Sequence, residues 1–388
     1  MKKLLIVNNN MKVGGVQKSL YNLLWSIRKD YEITLYLFQN AGAYAHCLPP
    51  EVKVVEDRSL FAYLGRSQGE CRSLRHRLTR GALAALTRLL GRKAVMRLLL
   101  LSKKTLPEEY DCAVAFLHNG RAKNFYGGVQ DFVLYRSRAK KKIAFLHCDY
   151  ATCGANNPQN NRLLEQFDAI AACSEGCRES FVRTLPRLKD RCVVVHNCHR
   201  FDEIRSLAEE APVSYDPGFC HLLMVCRLAH EKGVERAIRA VQAAAEQGHK
   251  LRLHLVGDGA KRQELQSLCD QLQMEDTVIF HGEQTNPYGY MPGADLLLIS
   301  SFHEAAPLVI EEAACLGLPT LTVATTSAEE MVAQQGRGWV CENTQQALEQ
   351  TLLSLLSDCK LLHDRKEQLL AVSMENETAL KEFHCLTE

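Results

Sequence analysis

The chain has 388 residues, 46% hydrophobic and 24% charged, which is ordinary for soluble globular protein and long enough for two or three domains. These values exclude a disordered chain, a collagen-like repeat and a disulfide miniprotein. The net charge of +2 hides an asymmetry. Residues 1–200 hold 33 Lys and Arg against 16 Asp and Glu, a net of +17, while the remainder hold 14 against 29, a net of −15. Chance drift between two domains is one account; the other is that the basic half faces an anionic partner, a nucleic acid or a membrane surface.

The opening MKKLLIV starts like an export signal, but its apolar run stops at Asn8-Asn9-Asn10, too soon for one. It reads as a buried first strand over 3–8. A Gly14-Gly15 turn leads into a helix whose Val16, Leu20, Leu23, Leu24 and Ile27 share one face. A strand over 31–38 completes a strand–glycine turn–helix–strand unit of the doubly wound type, and a short strand over 52–56 follows. Residues 66–104 then carry 11 Lys and Arg and a single acid, Glu70, with Leu83, Leu86, Leu89 and Leu90 at helical spacing. Such a basic amphipathic segment suits an anionic membrane surface, unless its leucines pack on the domain's own sheet. Strands are predicted over 111–117, 141–148, 169–174 and 192–197.

Pro and Gly near 200–218 mark a linker. Beyond it come strands over 221–227, 251–257, 277–282, 295–301, 319–324 and 338–343. Helices fall over 234–246, 260–273 and 307–316, and again from 345 onward. Short apolar runs alternating with helices specify parallel sheets. The fold class is α/β, with a first domain over 1–200, a second over 201–373 and a tail, 374–388, that packs back on the first. Nothing approaches the roughly 18 apolar residues of a membrane-spanning helix. The 16 cysteines include no C-x-x-C pair and read as reduced thiols packed as small apolar residues. A zinc site on Cys148, Asp149 and Cys153 is set aside, because no second ligand pair has metal spacing. No metal is expected.

The sharpest constellation is SFHEAAPLVIEEAACLGLP, residues 301–319. Pro307 suits a first helical turn, and Gly317 with Pro319 suits its end. The N–H groups near 305–309 then form an anion site at a sheet edge. Glu304 and Glu312, eight residues apart, are placed to grip separate hydroxyls of one long ligand; Glu311 points about 100° away from Glu312. In VCRLAHEKGVERAI, residues 225–238, Arg227 and Lys232 leave a strand end together, as a clamp for a departing diphosphate requires. Glycine at positions 14 and 15 lets backbone approach a phosphate or sugar closely, though a tight turn explains it equally well.

In order along the chain, GGVQKSL (14–20), ACSEG (172–176), VVHN (194–197), VCRLAHEKG, LVGDGAKRQEL (255–265) and the E-x7-E pair resemble the retaining glycosyltransferases of family 4. The resemblance implies the GT-B architecture, two Rossmann-like domains with parallel sheets facing across a cleft. It implies that Glu312 holds the ribose of a nucleotide-sugar, Glu304 lies against the transferred sugar, and Arg227 and Lys232 bind the diphosphate. Gly15 would lie near the distal phosphate and His147, in IAFLHCDY, near the donor sugar and acceptor. Gly257 and the backbone of Ala305 and Ala306 are assigned to donor binding. This chain has Glu304-Ala305-Ala306-Pro307 where the family often has Glu-Gly-Phe-Pro, and Cys226 where it often has glycine, so the donor sugar is left open.

The expected activity is metal-independent transfer of a sugar from a nucleotide diphosphate, UDP rather than GDP, to a lipid-linked or saccharide acceptor in cell-envelope synthesis, with retention. No dissociable cofactor is implied. The resemblance places the protein in the cytoplasm at the inner face of the membrane. A GT-B sugar-nucleotide epimerase or hydrolase and a catalytically silent GT-B partner protein are the rivals. Nucleic acid is not an expected partner: the basic segment lacks a stacking platform, with only Phe61, Tyr63 and Tyr110 nearby.

Overall fold

The computed structural model describes residues 1–71 and 73–388; Arg72, one of the basic residues of the 66–104 segment, lies outside the described residues. The chain forms two compact units, Met1–Cys198 with Asn376–Glu388, and His199–Glu375.

The first unit holds β1 (Lys2–Asn8), β2 (Tyr31–Leu37), β3 (Lys53–Glu56), β4 (Glu109–Ala115), β5 (Arg138–Leu146), β6 (Ala169–Ala172) and β7 (Cys192–Val194). All pair in parallel, in the order β3-β2-β1-β4-β5-β6-β7. Four successive residues of β1, Leu4 to Val7, have no solvent exposure. A parallel strand covered on both faces needs such an unbroken apolar run rather than an alternating one. One face packs the helix Gly15–Ile27 and the C-terminal helix Glu377–Thr387, through Leu4, Ile6, Leu24 and Phe383. Tyr31 fixes that last helix by hydrogen bonds to His384 Nδ1 at 2.8 Å and Thr387 Oγ1 at 2.7 Å. The other face carries an aromatic cluster of Phe38, Phe61 and Phe132, with centroids 5.1–5.6 Å apart.

The second unit holds β8 (Cys220–Val225), β9 (Leu251–Val256), β10 (Val278–Gly282), β11 (Leu296–Ile299), β12 (Thr320–Val323) and β13 (Gly338–Cys341). They form a parallel sheet in the order β10-β9-β8-β11-β12-β13. Helices Val234–Glu246 and Gln345–Ser357 cover one face. Phe201–Glu210 and Leu308–Cys315 cover the other. Both units are therefore helix–sheet–helix sandwiches of Rossmann type.

Two expectations need correction, and a third, the helical reading of 66–104, is refined. Strands end before their apolar runs do: Phe116 and Leu117 past β4, and Cys173 past β6, are buried without being in a strand. The 200–218 stretch is not an open linker, because Phe201–Glu210 is a helix that buries Phe201, Ile204 and Ala208. The 66–104 segment is two helices, Leu74–Leu90 and Arg92–Leu101, broken at Gly91, whose φ of 80° is left-handed. Within it Leu83 is buried but Leu89 and Leu90 are exposed. Arg92 is buried and ion-paired with buried Asp131, so it is a structural cation rather than a surface one.

Three imidazoles form a ladder across β8, β9 and β10. His221 donates from Nε2 to the Asp216 carbonyl at 2.7 Å, and in a neutral ring its Nδ1 then accepts from His254 Nε2 at 2.9 Å. His254 Nδ1 in turn accepts from His281 Nε2 at 3.0 Å. The Tyr215 ring packs on His254, and the Tyr290 ring on His281. Burial, with His281, His221 and Arg252 adding their charges, pushes His254 down to about 4; burial also lowers His281. Unfolded histidine titrates near 6.5, so as pH falls the unfolded state binds protons first. The ladder's stabilisation is complete above about pH 6.5 and is lost progressively toward pH 4, at up to ~1.4 kcal/mol per pH unit for each proton. In a Trp25→Phe background, Trp339 fluorescence should report a urea midpoint that drops between pH 7 and pH 5. A midpoint unchanged over that interval contradicts the assignment.

Candidate active site

The chain leaves β8 at Val225 and runs beside the exit of β9. Cys226 and Leu228 donate their N–H groups to the carbonyls of Val256 and Asp258 at 3.0 and 2.9 Å. Gly257 sits between these contacts with φ 136°, and a Cβ there would lie 1.9 Å from the Cys226 oxygen. Its glycine character is thus explained by backbone packing beneath Cys226. A single turn, His230–Lys232, then ends at Gly233, where φ is 59° and a Cβ would lie 2.2 Å from the Ser300 oxygen. Ser300 Oγ donates to the Gly233 carbonyl at 2.8 Å, and the Phe302 N–H donates to the Glu231 carbonyl at 2.9 Å. The exits of β8 and β11 are therefore laced together.

That lacing places Lys232 Nζ 2.6 Å from Glu304 Oε1, which also accepts from Ser301 Oγ at 2.7 Å. The Glu304 side chain is 11% exposed and that of Lys232 25%. A carboxylate so enclosed needs its cation. Arg227 stands apart: its side chain is 69% exposed and paired with Glu231, four residues on. The structure brings Lys232 to Glu304 but holds Arg227 against a different acid.

Pro307 is the N-cap of the helix Leu308–Cys315, in extended conformation, rather than its first-turn residue. Ala305 and Ala306 lie in the partly buried loop before it. The other end closes as expected. Gly317, at φ 75°, donates to Ala314 at 3.1 Å and Leu318 donates to Ala313 at 2.9 Å, the paired bonds of a Schellman ending. Glu312 is buried on this helix, and its Oε1 accepts from the Tyr288 hydroxyl at 3.2 Å. Glu311 turns to Arg337 at 2.9 Å, as its position on the helix requires. Tyr288 and Gly233 escaped sequence reasoning. Gly233 could have been read from Lys232-Gly233 before a helix, whereas nothing in NPYGYMPG singles out Tyr288.

In the first unit, Gly15 opens the helix Gly15–Ile27, with no atom beyond its chain neighbours and its own helix backbone within 4 Å of the position of a Cβ and no left-handed φ. Gly14 is extended, at φ 165°. A left-handed turn therefore does not account for the glycine pair. His147 follows β5, its ring 4.5 Å from Phe116 and 5.6 Å from Phe145 between centroids. Its Nε2 is buried without a hydrogen-bond partner, and burial, with His118 adding its charge, pushes the ring down to about 3.

The second sheet thus presents, at its strand exits, a cation–carboxylate pair beside a helix start and a buried glutamate one helix turn further in. Residues 217–369 match the family model described as glycosyl transferases group 1. The matched segment lies within the second unit. The chain also has relatives among curated proteins. Over 122 residues the chain is 36% identical to the lipopolysaccharide core biosynthesis glycosyltransferase LpsD of Rhizobium meliloti, covering 31% of this chain and 32% of that one. Over 201 residues it is 27% identical to the N-acetylgalactosamine-N,N'-diacetylbacillosaminyl-diphospho-undecaprenol 4-alpha-N-acetylgalactosaminyltransferase of Campylobacter jejuni, covering 51% and 53%. The matched segments thus span about a third to about half the length of these relatives. Across the whole of both chains, the fold is similar to that of Anabaena Alr3699/HepE, solved in complex with UDP and glucose, with a TM-score of 0.68 at 18% identity. The fold is GT-B: two Rossmann-like domains, the second of which holds the segment matched by the group 1 model.

Proposed function

We propose that this chain transfers a sugar from a nucleoside diphosphate, UDP in preference to GDP, to an acceptor hydroxyl with retained configuration, in building a cell-envelope polysaccharide or glycolipid. The observation that carries the reading is the Lys232–Glu304 contact at the approach to the helix Leu308–Cys315. A diphosphate gains negative charge as its bond to the sugar breaks, and a positioned ammonium beside a helix N-terminus stabilises that charge. In this reading Lys232 exchanges part of its contact with Glu304 for the diphosphate, and Glu304 then meets the sugar. Arg227, exposed and held only by Glu231, swings to the same phosphates. Glu312, steadied by Tyr288, accepts the ribose hydroxyls. Ala305 and Ala306 supply backbone donors, Gly257 keeps the β8 exit in place, and Gly15 and His147 keep the roles that the family resemblance implies. These groups supply the charge stabilisation without a metal. The UDP in the HepE structure and the polysaccharide and lipid-linked substrates named for the relatives support the donor and acceptor classes.

The two glutamates should fail differently. Glu312→Gln should weaken calorimetric binding of free UDP by roughly tenfold, the worth of one charged hydrogen bond. Glu304→Gln should leave UDP affinity within a few-fold and depress turnover with UDP-sugar donors. The opposite pattern reverses the roles, and no UDP binding by the wild-type chain sinks the reading.

We assign the acceptor side to the first unit and place it at the inner face of an anionic membrane. No helix among the described residues is long and apolar enough to cross a membrane. The helix Leu74–Leu90 does expose Leu74, Leu78 and Leu89 on one stripe with Ala82 and Ala85, flanked by Arg75, Arg77 and Arg88. Apolar residues inserted at the interface under basic side chains give reversible, salt-sensitive docking. The chain should sediment with vesicles of phosphatidylglycerol at low salt and be released at high salt. Reversing Arg88, Lys93 and Arg97 together should abolish sedimentation. Arg92 is left untouched because its charge is buried against Asp131. Wild-type protein left in the supernatant at low salt contradicts the assignment.

A further inference from the structure

At the C-terminal edge of the first sheet, neighbouring strand exits bring soft-metal ligands together. His118 follows β4, and Cys148 and Cys153 flank the turn after β5. Their ligand atoms all lie within 4.8 Å of one another, and they form the only such group of three among the described residues. The two sulfurs are 3.0 Å apart. His118 Nδ1 is buried with no hydrogen-bond partner, a donor–acceptor position left unused inside the protein. Asp149 is not part of the group. Its Oδ1 accepts from the Ala151 N–H at 3.0 Å and from Ser180 Oγ at 2.6 Å, while its carbonyl accepts from the Cys153 N–H at 2.9 Å. Asp149 therefore shapes the turn that returns Cys153 to Cys148, and the third ligand comes from the adjacent strand exit instead.

We propose that His118, Cys148 and Cys153 bind one thiophilic divalent cation, zinc in the first instance. One imidazole and two thiolates suit this ion, and the two thiolates cancel its charge, which a partly buried site requires. Binding releases the two thiol protons to solvent. A tetrahedral zinc with bonds of about 2.3 Å to sulfur holds its sulfurs about 3.8 Å apart, so the pair opens by under 1 Å. The fourth position is left for water or a further ligand. The ion would tie the exit of β4 to that of β5, on either side of His147, whose ring already packs between Phe116 and Phe145. Its role is to hold that edge rigid, and it stands independently of any sugar-transfer reading.

The test is metal analysis of the full chain, reduced, passed through chelator and then titrated with zinc or cobalt chloride. One equivalent should bind, and cobalt should give the near-ultraviolet charge-transfer absorption of a thiolate ligand. Cys148→Ser with Cys153→Ser should abolish both, and His118→Ala should weaken binding at least tenfold; Cys47→Ser, an exposed thiol elsewhere, should change neither. Should the double variant fail to fold, thiol titration of the wild type decides: zinc should protect two thiols from a disulfide reagent. Failure to bind one equivalent, or binding that survives the double substitution, overturns the proposal. So does recovery of the aerobically purified chain two daltons light with Cys148 bonded to Cys153, which would make the pair a redox couple instead.

Discussion

Lys232→Ala should lower turnover by on the order of 10²-fold or more at saturating donor, the usual loss when a positioned charge that stabilises a developing anion is removed. The substitution has a second consequence. Glu304 accepts from both Lys232 and Ser301 and is largely enclosed. Without its cation it keeps one hydroxyl donor, so the second unit should also lose roughly 1–3 kcal/mol. Glu304→Gln in the same chain separates the two effects. The amide needs no cation, so the double variant should recover stability relative to Lys232→Ala while turnover stays low. Arg227→Ala should reduce turnover with no measurable loss of stability, because an exposed ion pair contributes little to folding. Near-normal turnover in both the Lys232 and Arg227 variants removes the diphosphate clamp from the mechanism.

The parallel sheets were legible because their strands are short runs apolar over consecutive residues and bounded by turn residues, as strands covered on both faces are. The same property concealed where strands stop. Past β4, β6 and β11 the chain stays buried while leaving the ladder, as at Phe116 and Leu117, at Cys173 and at Ser300, and hydrophobicity reports burial rather than hydrogen bonding. Those exits carry the site residues, so the least legible stretches are the functional ones. Glu304, Glu312, Arg227 and Lys232 were visible as charges at strand exits, but their partners were not. Glu231 and Ser301 were surface-like letters, and the pairing of Lys232 with Glu304 depends on Gly233 admitting the Ser300 carbonyl. The His118–Cys148–Cys153 group was half visible: the cysteine pair could be read, but its third member lies thirty residues upstream on a neighbouring strand exit, a proximity that only the sheet order creates.

Two glycines assigned to donor binding should behave oppositely when given a methyl group. Gly257→Ala puts a Cβ 1.9 Å from the Cys226 carbonyl oxygen at φ 136°, where side chains are rarely tolerated. Backbone lies on the other side of the clash, so a side-chain rotation cannot relieve it. The exits of β8 and β9 must part, breaking the Cys226 to Val256 and Leu228 to Asp258 contacts. A loss of roughly 3 kcal/mol or more in the second unit is expected, from strain together with broken backbone hydrogen bonds. Gly15→Ala meets nothing within 4 Å and sits in the first turn of a helix at an ordinary φ. Alanine favours helix over glycine by up to about 1 kcal/mol, so the first unit should be unchanged or slightly more stable. If Gly15 is a glycine because a phosphate or sugar approaches it, the same methyl group should cut turnover by at least tenfold while the melting temperature holds. Loss of activity without loss of stability is a signature that packing cannot produce. Full activity in Gly15→Ala would take that residue out of the donor site and leave its glycine unexplained.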